Sequence, residues 1–170
     1  MRYKRGFTLV ELLITIVVAS ILIAVAVPAF SSFVQNNRIA AQTNELVTAI
    51  ATARSEAIKR KQDVTVCNSS DGATCTGSWS QGWILFTDTN SNGTVDAGDN
   101  DTVLRVWGPL SGGMAIATIP ANTRSASLDR LGAASNNVTF QFRIPNCRGN
   151  KARDLILRTS GSVETSSQAC

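Results

Sequence analysis

The chain has 170 residues, of which 16 are basic, 12 are acidic and none is histidine, so its formal net charge is +4 at pH 7. The lack of histidine excludes His-based catalytic triads and His-containing zinc sites. Three of the basic side chains lie within residues 1–6, and the rest of the chain has 13 basic against 12 acidic side chains. The basic character is therefore a property of the N-terminus and is poor evidence for nucleic-acid binding.

An apolar run of 21 residues follows this basic N-terminus. As a helix, residues 7–27 would span roughly 32 Å, enough to cross a hydrocarbon core of about 30 Å. The basic residues before the run, Arg2, Lys4 and Arg5, are expected on the cytoplasmic side of the membrane, and the chain after the run is expected on the opposite side. Glu11 is the only charge in the run, and an acid within a membrane is by default a functional residue with a partner.

Two general interpretations compete for this segment. It is either a simple membrane anchor, or a secretory signal peptide with Ala24-Val25-Ala26 as its small-residue cleavage site. The run is long for the apolar region of a signal peptide, which usually has about 7–15 residues, and Glu11 does not suit such a region.

The junction resembles the leader of a type IV prepilin, because Lys4-Arg5-Gly6 is followed at once by FTLVELL. The resemblance implies that a prepilin peptidase cleaves after Gly6 and that the new amino terminus at Phe7 is methylated. It implies that Glu11, the fifth residue of the processed chain, acts in subunit assembly by pairing with the amine of a neighbouring subunit. It also implies that the helix bends at Pro28, the twenty-second residue.

Beyond Pro28 the pattern is that of an amphipathic helix. Apolar side chains recur at helical spacing, at Leu46, Ile50, Ala53 and Ala57. Polar side chains predict that one face of this helix is exposed to water or contacts another subunit. They are Gln35, Asn36, Asn37, Arg38, Gln42 and Asn44. The helix is expected to end near residues 59–61, where Lys-Arg-Lys interacts favourably with the C-terminal dipole.

After Asp63 the pattern changes from helical to strand-like. Short β-branched or aromatic runs, separated by turn residues, lie at residues 64–66, 83–86, 103–107, 114–119, 138–144 and 155–157. The sequence predicts an α+β fold in which one long N-terminal helix packs against an antiparallel β-sheet or small β-sandwich. Its parts are a leader at residues 1–6, a membrane or filament-core helix at 7–27, the amphipathic half of the helix at 28–62 and a β-rich head at 63–170.

Two stretches resemble the GspH/FimT class of minor pilins and pseudopilins, ARSEAI at residues 53–58 and GWILFTD at residues 82–88. The resemblance covers residues 4–107, weakens over residues 111–137 and returns near the C-terminal cysteines. It implies a type IV pilin-like fold and a non-enzymatic structural role in a type IV pilus or a type II secretion pseudopilus.

Within that class the expected function is that of a minor pilin that helps to initiate pilus assembly and lies at or near the pilus tip. The expected partners are other minor pilins, the major pilin, prepilin peptidase and, before assembly, lipid of the inner membrane. The head is expected in the periplasm and then on the extracellular pilus. The alternatives are a minor pseudopilin of a type II secretion system and a pilin that binds DNA for natural transformation.

Four cysteines in an exported domain favour two disulfides, for which three pairings are available. Cys67 and Cys75 flank a turn-prone segment, and a bond between Cys147 and Cys170 would tie the C-terminal tail to the end of a strand. These local loops, together with the resemblance to minor pilins that hold the C-terminus in this way, favour these two pairs. Each bond would contribute about 2–4 kcal/mol to stability.

The acidic stretch at residues 88–99 allows two interpretations. It fits the pattern D-x-[DN]-x-[DN]-G of a calcium loop. The ligands would be side-chain oxygens of Asp88, Asn90, Asn92 and Asp99 and the carbonyl of Thr94. However, the last ligand is Asp where EF-hands have Glu, and the flanking runs look like strands. The other interpretation is a hairpin connection that needs no metal, since Asn-Gly turns form without one.

A basic cluster lies near the C-terminus, at Arg143, Arg148, Lys151, Arg153 and Arg158. Some FimT-type pilins bind DNA through a short C-terminal motif of glycine and spaced arginines. The corresponding residues 160–164 read SGSVE, which lacks the arginines and adds a carboxylate that repels phosphate. DNA binding through Arg148, Lys151 and Arg153 is therefore not the favoured interpretation. The favoured interpretation is that these side chains are surface charges exposed to water or in contact with a neighbouring pilin.

Overall fold

The protein is represented by a computed structural model that describes residues 7–145, 147 and 149–170. The predicted leader, with Gly6, and Arg148 lie outside the described residues. The chain forms two compact units, of which the first ends at Asn37 and the second extends from Arg38 to Cys170. Helix α1, Leu9–Arg60, contributes to both units.

The second unit begins with the amphipathic part of α1, which buries one side. Its buried residues recur every three or four positions, at Ile39, Gln42, Thr43, Leu46, Ala49, Ile50, Ala53 and Ala57. The four predicted apolar positions are among them. The helix ends at Arg60, and Lys61 follows with a left-handed φ of 57°. Lys59 and Arg60 occupy the last turn, where cations interact favourably with the helix dipole.

Eight strands follow the helix and form two antiparallel sheets. They are β1 (Val64–Asn68), β2 (Trp83–Thr87), β3 (Thr102–Trp107), β4 (Ala115–Ile119), β5 (Ser125–Leu128), β6 (Val138–Arg143), β7 (Ala152–Leu157) and β8 (Val163–Gln168). The first sheet has the order β3-β2-β1-β5 and the second has the order β4-β6-β7-β8. Strands β2 and β3 form a hairpin in which Trp83 pairs with Trp107 and Thr87 with Thr102.

The two sheets and the second half of α1 share one apolar core. Strand β6 shows the alternation expected of a strand with one buried face, and its Phe140 and Phe142 are fully buried. Trp79, in a short 3-10 helix before β2, packs edge-on against Phe140 with ring centroids 4.8 Å apart. A smaller cluster lies apart from this core and includes Ile84 and Phe86. The predicted α+β fold, a long helix against antiparallel sheets, is confirmed.

Three details differ from the pattern of the sequence. Strands β5 and β8 coincide with none of the apolar runs, because β5 is short and reads SASL, and β8 reads VETSSQ at a sheet edge. Their strand conformation comes from pairing with β1 and β7. Gln42, predicted on a wet or subunit-facing side of the helix, is only 8% exposed, and its Nε2 donates to Ser111 Oγ at 2.8 Å.

Replacing Phe140 with alanine should destabilise the head, since the substitution removes a fully buried ring from between the sheet and Trp79. We expect the free energy of unfolding to fall by about 3–5 kcal/mol. Urea unfolding of the full chain in detergent micelles, followed by tryptophan fluorescence, would measure it. Leu131→Ala is the control, because Leu131 is 78% exposed and should change stability by less than about 0.5 kcal/mol.

Candidate assembly site

The start of α1 is closed by a reciprocal pair of hydrogen bonds between Thr8 and Glu11. The Glu11 amide donates to Thr8 Oγ1 at 3.2 Å, and the Thr8 amide donates to Glu11 Oε2 at 3.4 Å. This is a capping box, which satisfies two amide groups that a helix start otherwise leaves unpaired. Both side chains are exposed, and Phe7 immediately before them is 81% exposed. Glu11 Oε2 thus lies within hydrogen-bond distance of the Thr8 amide, the residue that follows Phe7.

The part of α1 that follows this cap has an apolar surface on all sides. Seventeen large hydrophobic side chains between Phe7 and Val34 are exposed. Among the described residues, α1 is the one helix long and apolar enough to cross a membrane, and none of its most apolar window is buried within the chain. Burial of each such side chain away from water is worth about 1.5–3 kcal/mol. The surface therefore requires an apolar environment outside the chain.

Polar groups within this surface are satisfied by the helix itself. Thr15 Oγ1 donates to the Leu12 carbonyl at 2.8 Å, and Ser20 Oγ donates to the Val17 carbonyl at 2.7 Å. Such back-bonding lets hydroxyl groups lie in lipid or between helices without an unpaired donor. Pro28 lies inside α1, and its lack of an amide hydrogen removes one helical hydrogen bond. A bend at Pro28 stays a prediction.

The four cysteines form two disulfides, Cys67–Cys75 and Cys147–Cys170. The first joins two residues eight positions apart and closes a loop that starts from β1, and Asp71 organises the turn inside that loop. One Asp71 oxygen accepts hydrogen bonds from the amides of Ala73 and Thr74, and the other accepts from the Thr74 hydroxyl. These bonds, with the Thr74 hydroxyl as the largest contribution, hold the Asp71 pKa well below its ordinary value.

The acidic stretch forms the connection between β2 and β3 and is built around Asp88. This carboxylate is fully buried and accepts hydrogen bonds from the amides of Asn92 and Gly93, at 3.0 and 2.9 Å, and from the Thr65 hydroxyl at 2.8 Å. Gly93 has a φ of +77°, a conformation that glycine adopts without strain. Asp88 therefore anchors the turn to the sheet through its hydrogen bonds.

Three other predicted calcium ligands, Asn90, Asn92 and Asp99, lie in the same loop and bond to each other or to Asp96. Asn90 Nδ2 donates to Asp99 Oδ2 at 2.7 Å, and Asn92 Nδ2 donates to Asp96 Oδ2. The Asn92 bond, followed by that of the Thr94 hydroxyl, lowers the Asp96 pKa. Within the described part of the chain, no group of three or more His, Cys, Asp or Glu side chains is arranged to hold a metal ion. The carboxylates of Asp96 and Asp99 thus accept hydrogen bonds from the asparagine amides.

The described members of the basic cluster are partly engaged in ion pairs. Arg143 Nη1 lies 2.9 Å from Asp154 Oδ1, and Arg158 Nη2 lies 2.7 Å from Glu164 Oε2. Arg153 lies in β7 and is partly exposed. The structure thus pairs two of the arginines with carboxylates, which reduces the positive charge they offer to phosphate.

Comparison with known proteins assigns the chain to a family. The profile of the family described as Type II transport protein GspH matches residues 42–161, which include the second half of α1 and most of the head. This chain belongs to the GspH family. A second profile, the Prokaryotic N-terminal methylation motif, matches residues 1–27. Both resemblances predicted from the sequence are confirmed.

Relatives of this GspH-family chain include named pilin proteins. The Pilin-like protein PilA1 of Thermus thermophilus is 34% identical over 98 residues, and the chain spans 56% of that relative's length. The crystal structure of the type IV minor pilin FimU of Pseudomonas aeruginosa matches with a TM-score of 0.62 and 17% identity over 81% of this chain and 98% of FimU. A second crystal form of FimU matches with a TM-score of 0.55. At this identity the likeness shows a shared fold, and both the family and the fold are those of structural pilin subunits rather than enzymes.

Thr8 belongs to the site at the start of α1 but was not predicted as part of it, although the signal is present in the sequence. Thr8 and Glu11 have the Ser/Thr-x-x-Glu spacing of a capping box directly before an apolar run. The apolar run and the prepilin resemblance predict only a partner for Glu11 in another subunit. The structure gives it an additional local role at the start of its own helix.

The Asp71 turn predicts a pH dependence of stability. Because the folded pKa is below the unfolded value near 3.9, ionised Asp71 stabilises the fold above that pH, and the contribution is lost as the pH falls through the folded pKa. Thermal unfolding of the wild type and Asp71→Asn between pH 2 and 7 would measure it. We expect Asp71→Asn to melt at a lower temperature near pH 7, with the difference shrinking below about pH 4. A constant difference over the whole range would contradict this assignment.

Proposed function

We propose that this chain is a minor pilin of a type IV pilus, a structural subunit that helps to initiate assembly and lies at or near the pilus tip. The observation that carries the proposal is the apolar surface of α1, which begins at a capped Glu11 and continues into a helix that bears a β-rich head. A subunit with this construction can be stored in lipid and then built into a bundle of helices. The fold shared with FimU, itself titled a type IV minor pilin, supports the pilus over other filaments.

In this proposal the chain moves between two apolar environments. It is first inserted in the inner membrane with its basic leader in the cytoplasm and its head in the periplasm. Prepilin peptidase cleaves between Gly6 and Phe7, and the Phe7 amine is methylated. The helix then leaves lipid for the filament core, where other minor pilins and the major pilin cover the same surface, so the apolar side chains stay out of water throughout.

The Thr8–Glu11 cap has a consequence for how subunits pair. A carboxylate can accept several hydrogen bonds, so the cap leaves Glu11 able to bind the Phe7 amine of a neighbouring subunit. The cap also restricts the Glu11 side chain before the neighbour arrives, which reduces the conformational entropy lost on pairing. Pairing would neutralise two charges that are costly to bury alone and would set the axial position of one subunit against the next.

Substitutions at Glu11 and Thr8 distinguish the effect of the Glu11 charge from the effect of the helix cap. Glu11→Gln keeps an oxygen that can cap the helix but removes the charge, whereas Thr8→Val removes the capping hydroxyl and keeps the charge. We expect Glu11→Gln to reduce incorporation into pili more than ten-fold, because an unpaired buried amine costs about 3–5 kcal/mol. Thr8→Val should have a smaller effect, since loss of a cap costs about 0.5–2 kcal/mol.

Immunoblots of sheared pili and of membranes would measure incorporation and leader cleavage in the same cells. Cleavage should remain normal in both variants, because Gly6 and Phe7 are unchanged. Glu11→Gln subunits that enter pili at the wild-type level would refute the pairing role.

Deletion of the gene tests the function as a whole and distinguishes the alternatives. A type IV minor pilin predicts loss of surface pili that plasmid expression restores. A minor pseudopilin of a type II secretion system predicts normal pili with loss of secreted proteins. A pilin that binds DNA predicts normal pili with loss of DNA uptake; the ion pairs of Arg143 and Arg158 weigh against it.

For the acidic loop we propose closure without calcium. The amide groups of Asn90 and Asn92 already donate to the carboxylates of Asp99 and Asp96, and Asp88 is held by amides and a hydroxyl. This arrangement supports the hairpin interpretation of the sequence over the calcium loop. Binding of Ca²⁺ would require both asparagine amides to turn their oxygens inward.

A calcium titration of melting temperature would test this proposal. A site with a Kd of about 0.1–1 mM would gain about 1.4–2.7 kcal/mol in 10 mM Ca²⁺, enough to raise the melting temperature by several degrees. We expect no such rise for the full chain in detergent, relative to Mg²⁺ at equal ionic strength. A rise in the wild type that disappears in Asp99→Ala would contradict the proposal and establish calcium as a ligand.

A further inference from the structure

Basic side chains gather at the end of the head where α1 enters it. We call this the basic end and define it by Arg38, Arg143, Lys151 and Arg153. Arg38 is the first residue of the second unit, and its side chain is exposed. The carboxylate beside these side chains is Asp154, which pairs with Arg143. The basic end therefore keeps a net positive charge.

Contacts between distant parts of the chain bring these residues to the same end of the head. The Arg38 guanidinium lies against Gly112, in the connection that precedes β4. The next residue, Gly113, packs against the ring of Pro145, which belongs to the connection between β6 and β7. That connection joins Arg143 at the end of β6 to the start of β7. The two connections thus meet beside the first turn of α1 in the head.

Two of the arginines carry charges that no carboxylate neutralises. Within the residues that the structure describes, Arg38 and Arg153 form no ion pair. Arg143 differs, because its Nη1 lies 2.9 Å from Asp154 Oδ1 and also donates to the Arg153 carbonyl at 3.4 Å. Arg38 and Arg153 are therefore the groups of the basic end that can pair with an external anion.

The basic end lies close to the point where the apolar surface of α1 stops. Exposed apolar side chains occupy residues 9–34, which span roughly 39 Å as a helix. That length approaches the thickness of a bilayer with its headgroup regions, about 40–45 Å. Arg38 follows Val34 by four residues, about 6 Å along the same helix. A chain inserted in a membrane therefore carries Arg38 at the boundary between lipid headgroups and water.

We propose that the basic end binds anionic lipid headgroups of the periplasmic leaflet while the subunit is stored in the inner membrane. This inference rests on the membrane-inserted state proposed above. Arg38 and Arg153 make the contacts, since the fork of N–H groups on a guanidinium matches the oxygens of a lipid phosphate.

The short range of this attraction favours a membrane over nucleic acid as the partner. Attraction between exposed charges falls off within about 8–10 Å at physiological ionic strength, and Arg38 lies within that distance of the apolar surface. The contact holds the head at the membrane surface, and it is broken when the helix leaves lipid for the filament.

Hydrogen exchange of the full chain in lipid nanodiscs, followed by mass spectrometry, tests this proposal. Discs of phosphatidylglycerol supply the anionic headgroup, and discs of phosphatidylcholine are the neutral comparison. Each arginine beside an anionic surface favours contact about five-fold, so the two together favour it about 25-fold. We expect amides of residues 111–113 and 149–151 to exchange at least about five-fold more slowly in phosphatidylglycerol. The difference should vanish in about 0.5 M NaCl, where the screening length is about 4 Å.

Arg38→Gln/Arg153→Gln is the decisive variant, because it removes both charges and should exchange at the same rate in the two lipids. Lys61→Gln/Arg130→Gln is the matched control, since it removes two exposed charges that lie together beyond the C-terminal end of α1. It should exchange like the wild type. Arg38→Lys/Arg153→Lys keeps the charges and should keep the slow exchange, which distinguishes a lost charge from altered folding.

The outcomes separate this proposal from the proposed pilin function. Equal exchange in the two lipids for an inserted wild-type chain, or slow exchange that persists in Arg38→Gln/Arg153→Gln, would overturn the lipid contact alone. A chain that inserts into neither disc would contradict the membrane-inserted state on which both proposals rest. Slow exchange caused by a duplex oligonucleotide in phosphatidylcholine discs, without an effect of phosphatidylglycerol, would assign the basic end to nucleic acid instead.

Discussion

The apolar surface at the start of α1 is the constraint on which the rest of this protein depends. From Phe7 to Val34 the helix presents large hydrophobic side chains in every direction, and no other part of the described chain covers them. Such a helix is stable only in lipid or among other helices, where every polar group must be satisfied internally. The back-bonded hydroxyls of Thr15 and Ser20 and the Thr8–Glu11 cap meet that requirement. The one charge left in the segment can then serve to select a partner.

The second half of the same helix has a different role, because it packs into the head. Its buried stripe packs into the core shared by the two sheets, so the helix is also part of the head. The head is closed locally by two disulfides and by turns in which Asp71 and Asp88 accept several hydrogen bonds each. These bonds fix loops at the edges of the sheets, and Cys67 also contributes to the smaller apolar cluster.

Features set by a local sequence pattern were predicted correctly, whereas features set by contacts with another part of the fold were not. The helix lies where apolar side chains recur at helical spacing, and six of the eight strands lie where short β-branched or aromatic runs place them, because burial selects such side chains locally. Strands β5 and β8 lack such a run; β5 is recruited by hydrogen bonds to β1, which is distant in sequence, and β8 by hydrogen bonds to the preceding strand β7. Gln42 shows the same limit, since Ser111, its partner, is 69 residues away and no local pattern predicts that contact.

The sequence by itself determined the basic N-terminus, the length and apolarity of the first helix, the lone Glu11 and the family. All of these are carried by short contiguous motifs whose physical meaning does not depend on the rest of the chain. The tertiary structure decided that Asn90 and Asn92 donate to the carboxylates of the acidic loop and that Arg143 is paired with Asp154. The first of these depends on the fold of the connection between β2 and β3, and the second on the register of β6 against β7, and spacing along the chain encodes neither geometry.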